Sequence, residues 1–120
     1  MSLDAAHLCL ALNLYHEGRG ESYSGQYAIV HVVRNRAKYN LENVCKVVFK
    51  PYQFSWTITM PPDNQRGLER ALHISSLAWD SPADVTHGAT HYHAKHIRPY
   101  WAKNMKVTVR IGNHIFYRKK

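Results

Sequence analysis

Leu12–Arg36 reads LNLYHEGRGESYSGQYAIVHVVRNR. Its first residues continue an apolar stripe, its middle is rich in glycine, and its last third returns to helical periodicity. The stretch predicts the end of one helix, an elbow at Gly18-Arg19-Gly20 and the start of a second helix. Two carboxylates, Glu17 and Glu21, sit at that elbow.

Upstream, a first helix is expected over Leu3–His16, capped by Ser2 or Asp4. Leu8, Leu12 and Tyr15 form its stripe, widened by Leu10 and Leu14. The second helix is expected from Ser22 or Ser24 to about Lys38. Gln26, Ile29, Val30, Val33 and Ala37 share one face; His31, Arg34, Asn35 and Lys38 share the other. Asn40 can cap a short third helix whose inner side is Leu41, Val44, Val47 and Val48, ended by Pro51. Asp63 can cap a fourth, to about Trp79, with Leu68, Ala71, Leu72, Ser75 and Ala78 inward. The period then changes. Gly88–His93 reads as a strand and Pro99-Tyr100-Trp101 as loop. Lys106–Ile111 and His114–Tyr117 read as a hairpin about Gly112-Asn113, with Val109 facing Phe116 and Thr108 facing Tyr117. Helices followed by a small antiparallel sheet give an α+β class, in one domain over residues 1–120.

Hydrophobic residues make up 45% of the chain, enough for a packed core. No apolar run approaches the ~20 residues of a membrane span. The N-terminus has no basic region before its apolar residues, so it reads as a mature helix and not a secretion signal. Cys9 and Cys45 could pair, but read more plainly as two small buried residues. The formal charge of +8 is distributed unevenly. Residues 1–84 hold eight Lys/Arg and eight Asp/Glu; residues 85–120 hold eight Lys/Arg and no acid. Such a basic third can serve solubility alone, but its asymmetry favours an anionic polymer partner: nucleic acid, wall polymer or membrane surface.

With eight carboxylates, elimination narrows the candidates for chemistry. Asp4, Asp63 and Glu42 have capping or helix-dipole work. Glu69 lies on a polar face with Arg66, Arg70 and His73. Asp80 and Asp84 flank a turn. Glu17 and Glu21 remain. Glu17 follows a buried helix, where the negative helix end and partial burial both raise a carboxyl pKa, as a general acid requires. Glu21, at the start of the second helix, has the opposite field and stays ionised, a candidate second carboxylate. Carboxylates pushed apart in this way suit glycoside cleavage. The residues alone leave open the plainer reading, in which both glutamates cap and bridge the elbow around Arg19.

His87, His91, His93 and His96 crowd into THGATHYHAKH. His91 and His93 share a strand face, as metal ligands can, but no HExxH or CxxC accompanies them, and a polar groove wall is the favoured reading. No metal or other cofactor is expected. Tyr52, Phe54, Trp56, Tyr92, Tyr100 and Trp101 fall outside the helices, interleaved with Gln53, Ser55 and His93. Sugar rings pack on aromatic faces while amides and hydroxyls take their oxygens. The expected substrate contacts are Gln26, Gln53, Phe54, Ser55, Tyr92, His93 and Trp101.

LNLYHEGRGES with Gly25-Gln26, then VCKVVFKPYQFSWT, GATHYHA, Pro99-Tyr100-Trp101-Ala102 and IGNHIFYR, resembles the SleB/CwlJ-type cell-wall hydrolases over about Leu8–Arg118. The resemblance implies a compact lysozyme-related domain that cuts peptidoglycan glycan strands. It maps the family's catalytic acid/base to Glu17. It implies a lytic transglycosylase leaving 1,6-anhydromuramic acid ends, with the substrate's own hydroxyl as nucleophile, no second carboxylate and no metal. Gly18 stands where the family usually has alanine, which implies a looser elbow.

Two other functions fit the residues. One is a hydrolytic muramidase or glucosaminidase at the same site, with Glu21 positioning water. The other is a non-catalytic basic domain binding nucleic acid through residues 85–120. A monomer is expected, without specific nucleic-acid binding, touching anionic wall or membrane surface by charge. The lack of a signal implies a phage endolysin-like protein made in the cytoplasm and acting on the wall, or the trimmed catalytic domain of a secreted enzyme.

Overall fold

The structure is a computed structural model that describes residues 4–50 and 65–120. Gln53, Phe54, Ser55 and the Asp63 cap lie outside the described residues. Helix α1 spans Ala5–Gly18, capped by Asp4, whose side chain accepts from the His7 amide. Helix α2 spans Tyr23–Arg36, capped by Ser22, whose Oγ accepts from the Gly25 amide. A 3-10 turn at Leu41–Asn43, capped by Asn40, leads into α3, Val44–Phe49. Helix α4 spans Gln65–Trp79. The sheet follows: β1 His91–Ala94, a 3-10 turn Tyr100–Asn104, β2 Met105–Ile111 and β3 His114–Lys119.

The expected apolar faces of α1 and α2 meet in the main core, where Leu10, Leu14, Ile29, Val30 and Val33 join Val44 and Val48 from α3 and Ile74 from α4. Each such side chain contributes about 1.5–3 kcal/mol on burial. A second cluster, Ala28, Val32, Ala89 and Phe116, ties α2 to the sheet. Helix α2 is thus covered on both sides. His31 and Arg34, on its polar face, are 0% and 3% exposed. Both are bonded by the end of α4 and the chain that follows it. Arg34 donates to the Trp79 and Ser81 carbonyls. Asn35 donates to Asp84 and to the Ala89 carbonyl.

Three local expectations are corrected. Cys9 and Cys45 are joined as a disulfide, because α1 and α3 pack with these Cα atoms 5.3 Å apart. The strand expected from Gly88 begins at His91; before it, Asp84 accepts from the Thr86 and Gly88 amides and holds a turn, with Gly88 at φ 88°. The hairpin register carries a bulge at Thr108, so Val109 opposes Phe116 as expected but Val107, not Thr108, opposes Tyr117. The strand order is β1-β3-β2, both pairs antiparallel, which places β1 at an edge of the sheet among the described residues.

Candidate active site

Glu17 is the penultimate residue of α1, and the elbow behind it is tightly built. Gly18 is buried, and a Cβ there would sit 2.8 Å from Leu14 Cδ1 and 3.0 Å from Ile29 Cδ1. The ends of the Leu14 and Ile29 side chains therefore occupy the space that an alanine methyl would take. Gly20 turns the chain at φ 95°, a conformation open to glycine. The Glu21 amide then donates to the Gly18 carbonyl at 3.0 Å, and Gln26 Nε2 donates to the same oxygen at 3.2 Å. Gln26, expected at the substrate, bonds the elbow backbone through this contact.

In front of Glu17 lies a groove of about 860 Å³ between α2 and β1. Glu17 and Arg36 line it from the helices, His91, Tyr92 and His93 from β1, and Trp101 from the 3-10 turn. Tyr100 and Ile97 stand at its rim, 85% and 50% exposed. Among the described residues, Glu17 is the only carboxylate that lines it.

Burial raises the Glu17 carboxyl above its ordinary range, because the charged form loses solvation. The Tyr92 phenol faces this carboxyl and pulls the other way, although it falls short of a completed hydrogen bond. Tyr92 itself is pushed well up, first by burial and then by the Glu17 charge. Burial lowers Arg36, and it lowers His91, with Arg36 and Lys119 adding to the effect on His91.

The histidines form a wall with Trp101. His91 and His93 ring centroids lie 5.3 Å and 5.7 Å from that indole. His93 Nδ1 donates to the Ala94 carbonyl at 2.8 Å, so Nε2 accepts from the Tyr117 hydroxyl at 2.7 Å. Among the described residues, no group of three or more His, Cys, Asp or Glu is arranged to hold a metal ion.

Glu21 is not among the residues that line the groove. Its Oε1 lies 2.9 Å from His114 Nδ1, and its Oε2 accepts from Asn113 at 3.1 Å. The sequence reading overlooked Arg36 and His114 as groove residues. Arg36 reads as a last-turn cation, yet it lies four residues after Val32, which meets the sheet. His114 follows the Gly112-Asn113 turn, a position the hairpin pattern alone makes ordinary.

A carboxyl whose pKa is raised by burial, facing an aromatic groove, is an arrangement that suits carbohydrate cleavage. A family model described as cell wall hydrolase matches residues 20–117, and the chain belongs to that family. The spore cortex-lytic enzymes of Halalkalibacterium halodurans and Bacillus subtilis are each 32% identical, over 114 and 113 residues. Both matches cover 89% of this chain but 33% and 35% of the relatives, so the chain spans about a third of their length. The catalytic domain of the Bacillus cereus SleB protein superposes with a TM-score of 0.69 at 27% identity, covering 98% of this chain and 93% of that one. The catalytic domain of the germination-specific lytic transglycosylase SleB from Bacillus anthracis superposes at 0.70, with 98% of each chain covered. At 24% identity, that second likeness speaks to the fold alone. The α+β class and its element order agree with both.

Proposed function

We propose that residues 1–120 form a catalytic domain that cleaves the glycan strands of peptidoglycan, with Glu17 as general acid and then general base. The observation that carries this reading is the half-buried Glu17 as the one carboxylate lining the groove among the described residues. The pKa raised by burial shifts Glu17 toward the protonated form that a general acid needs. Glu17 gives that proton to the glycosidic oxygen as the C1–O bond breaks. The carboxylate then takes the proton of the muramic acid 6-hydroxyl as that oxygen bonds to C1. The product is a 1,6-anhydro end, no water is consumed, and Glu17 is again an acid. A single carboxylate suffices because the substrate brings its own nucleophile.

His93, Tyr92 and Trp101 are the proposed sugar contacts, and Arg36 is placed to meet an acidic or amide oxygen of the substrate. Water in place of the 6-hydroxyl would give hydrolysis at the same site. The engagement of Glu21 by His114 and Asn113 argues against Glu21 as the group that positions that water. Mass spectrometry of fragments released from purified walls tests the outcome. Anhydro ends, one water lighter than reducing ends, are expected; reducing ends alone would replace this mechanism with hydrolysis.

The basic third supports a second element of the reading, retention on the anionic wall. Lys103, Lys106, Arg118, Lys119 and Lys120 are all exposed. Lys106 lies directly opposite Arg118 across the strands, a like-charge pairing that costs stability unless an anion is nearby.

A further inference from the structure

Glu21 and His114 are almost covered, with 12% and 13% of their side chains exposed. A carboxylate so enclosed loses much of its hydration and must be matched by partners. Among the described residues, its polar neighbours come from the far end of the hairpin. Asn113 Nδ2 donates to Oε2 at 3.1 Å, and His114 Nδ1 packs 2.9 Å from Oε1 as an ion-pair neighbour, without an aligned hydrogen bond. The elbow that carries Glu17 is therefore clamped to the β2–β3 turn.

The clamp continues into the groove. The His114 ring stands edge-on to Tyr92, with centroids 5.1 Å apart and planes at 87°. Phe116 backs Tyr92 at 5.5 Å. Held between these rings, the Tyr92 hydroxyl faces Glu17, buried and without a completed hydrogen bond. An unfilled buried donor is costly, and it gains most when the facing carboxyl ionises. We propose that Glu21, His114 and Tyr92 form a strut that fixes the direction of the Glu17 carboxyl and offers it a hydrogen bond once its proton has left. Glu21 and His114 are then positioning residues that act through Tyr92. This inference rests on Glu17 being the acid. The other titratable groups that line the groove with the pair are Arg36 from α2, His91 and His93 from β1, Tyr100 from the 3-10 turn and His114 from β3.

The test compares Glu17→Gln, Tyr92→Phe, Glu21→Gln and the Tyr92→Phe/Glu21→Gln double variant on a soluble glycan fragment across pH, with circular dichroism for folding. Tyr92→Phe and Glu21→Gln should each lower kcat between about 10- and 100-fold, the cost of a misplaced reacting group, with little change in KM. Tyr92→Phe should move the alkaline limb of kcat to higher pH, since the phenol favours the Glu17 carboxylate. In the double variant, Glu21→Gln should add less than about twofold, because the strut is already cut. Losses that multiply in full with an unmoved pH limb would overturn the strut, as would Glu21→Gln being as inactive as Glu17→Gln. Should Glu21→Gln fail to fold, His114→Asn breaks the same pair and carries the same expectations. An active Glu17→Gln would instead overturn the reading of the acid on which the strut depends.

Discussion

His31 donates from Nε2 to the Ala78 carbonyl at 2.8 Å, joining the middle of α2 to the end of α4 across 47 positions of sequence. Its Nδ1 accepts from the Val85 amide at 3.1 Å, so the neutral ring satisfies both partners. Burial lowers its pKa, outweighing the opposing pull of the Ala78 carbonyl and Asp84. The folded state therefore binds fewer protons than the unfolded one below the ordinary histidine value of about 6.5. This contribution is whole above that value and declines as pH falls below it. Denaturant titrations should show stability falling between about pH 7 and pH 5. His91, also lowered by burial, adds in the same direction. Asp84 acts only at lower pH, since its carboxyl is held below the ordinary value of 3.8 by bonds from Thr86, Asn35 and Gly88. His31→Gln should cost about 1–3 kcal/mol at pH 7 and flatten the decline. A stability that is level from pH 7 to pH 5 would contradict this account.

The Cys9–Cys45 disulfide closes a loop with a sequence separation of 36 and joins α1, which carries the elbow, to α3. Reduction, or a Cys9→Ala/Cys45→Ala pair, should lower unfolding free energy by about 2–4 kcal/mol. Denaturation midpoints with and without reductant measure it. Equal midpoints would mean that the helix packing alone fixes this contact.

The parts of the fold that follow from local chemistry were legible in the sequence. The elbow, the Asp4 and Asn40 caps, the apolar stripes of α1 and α2 and the Val109–Phe116 register all depend on near neighbours or a two-residue turn. What depends on distant packing was not. Nothing in the spacing of Cys9 and Cys45 shows that α3 folds back on α1. The polar face of α2 gave no sign that His31, Arg34 and Asn35 would be covered by residues 78–89. At the site, the special environment of Glu17 was readable from its place at a buried helix end. The occupation of Glu21 by His114 was not, since 93 positions separate them and only the folded hairpin brings them together.

The exposed cations of the last third should hold the protein on its polymer by a screened field, whose reach falls from ~8 Å at physiological salt to ~3 Å at 1 M. Pelleting with whole walls should weaken steeply along a salt series, while turnover of a short soluble glycan weakens much less. Replacing Arg118, Lys119 and Lys120 by serine should imitate added salt on walls and do little on the soluble substrate. Salt-independent pelleting, or equal losses on both substrates, would leave the charge to solubility alone.

Burying Glu17 opposes folding at neutral pH, because a raised folded-state pKa means the ionised form is less favourable inside than in the unfolded chain. Glu17→Gln should therefore melt no lower than the parent protein at pH 7, and its advantage should shrink as pH falls toward the ordinary glutamate value of 4.5. A variant that melts lower at pH 7 than its parent would show that the ionised carboxylate is held by partners that stabilise it.

The most direct measurement is the rate at which Glu17→Gln clears a suspension of purified bacterial walls, read as turbidity beside the parent protein at equal folded concentration. Loss of a general acid removes about 10²–10⁴-fold of rate. The account predicts a folded protein that still binds walls and clears them at least ~100-fold more slowly. A folded Glu17→Gln that clears walls at a rate near the parent's would contradict it and place the acid elsewhere in the chain.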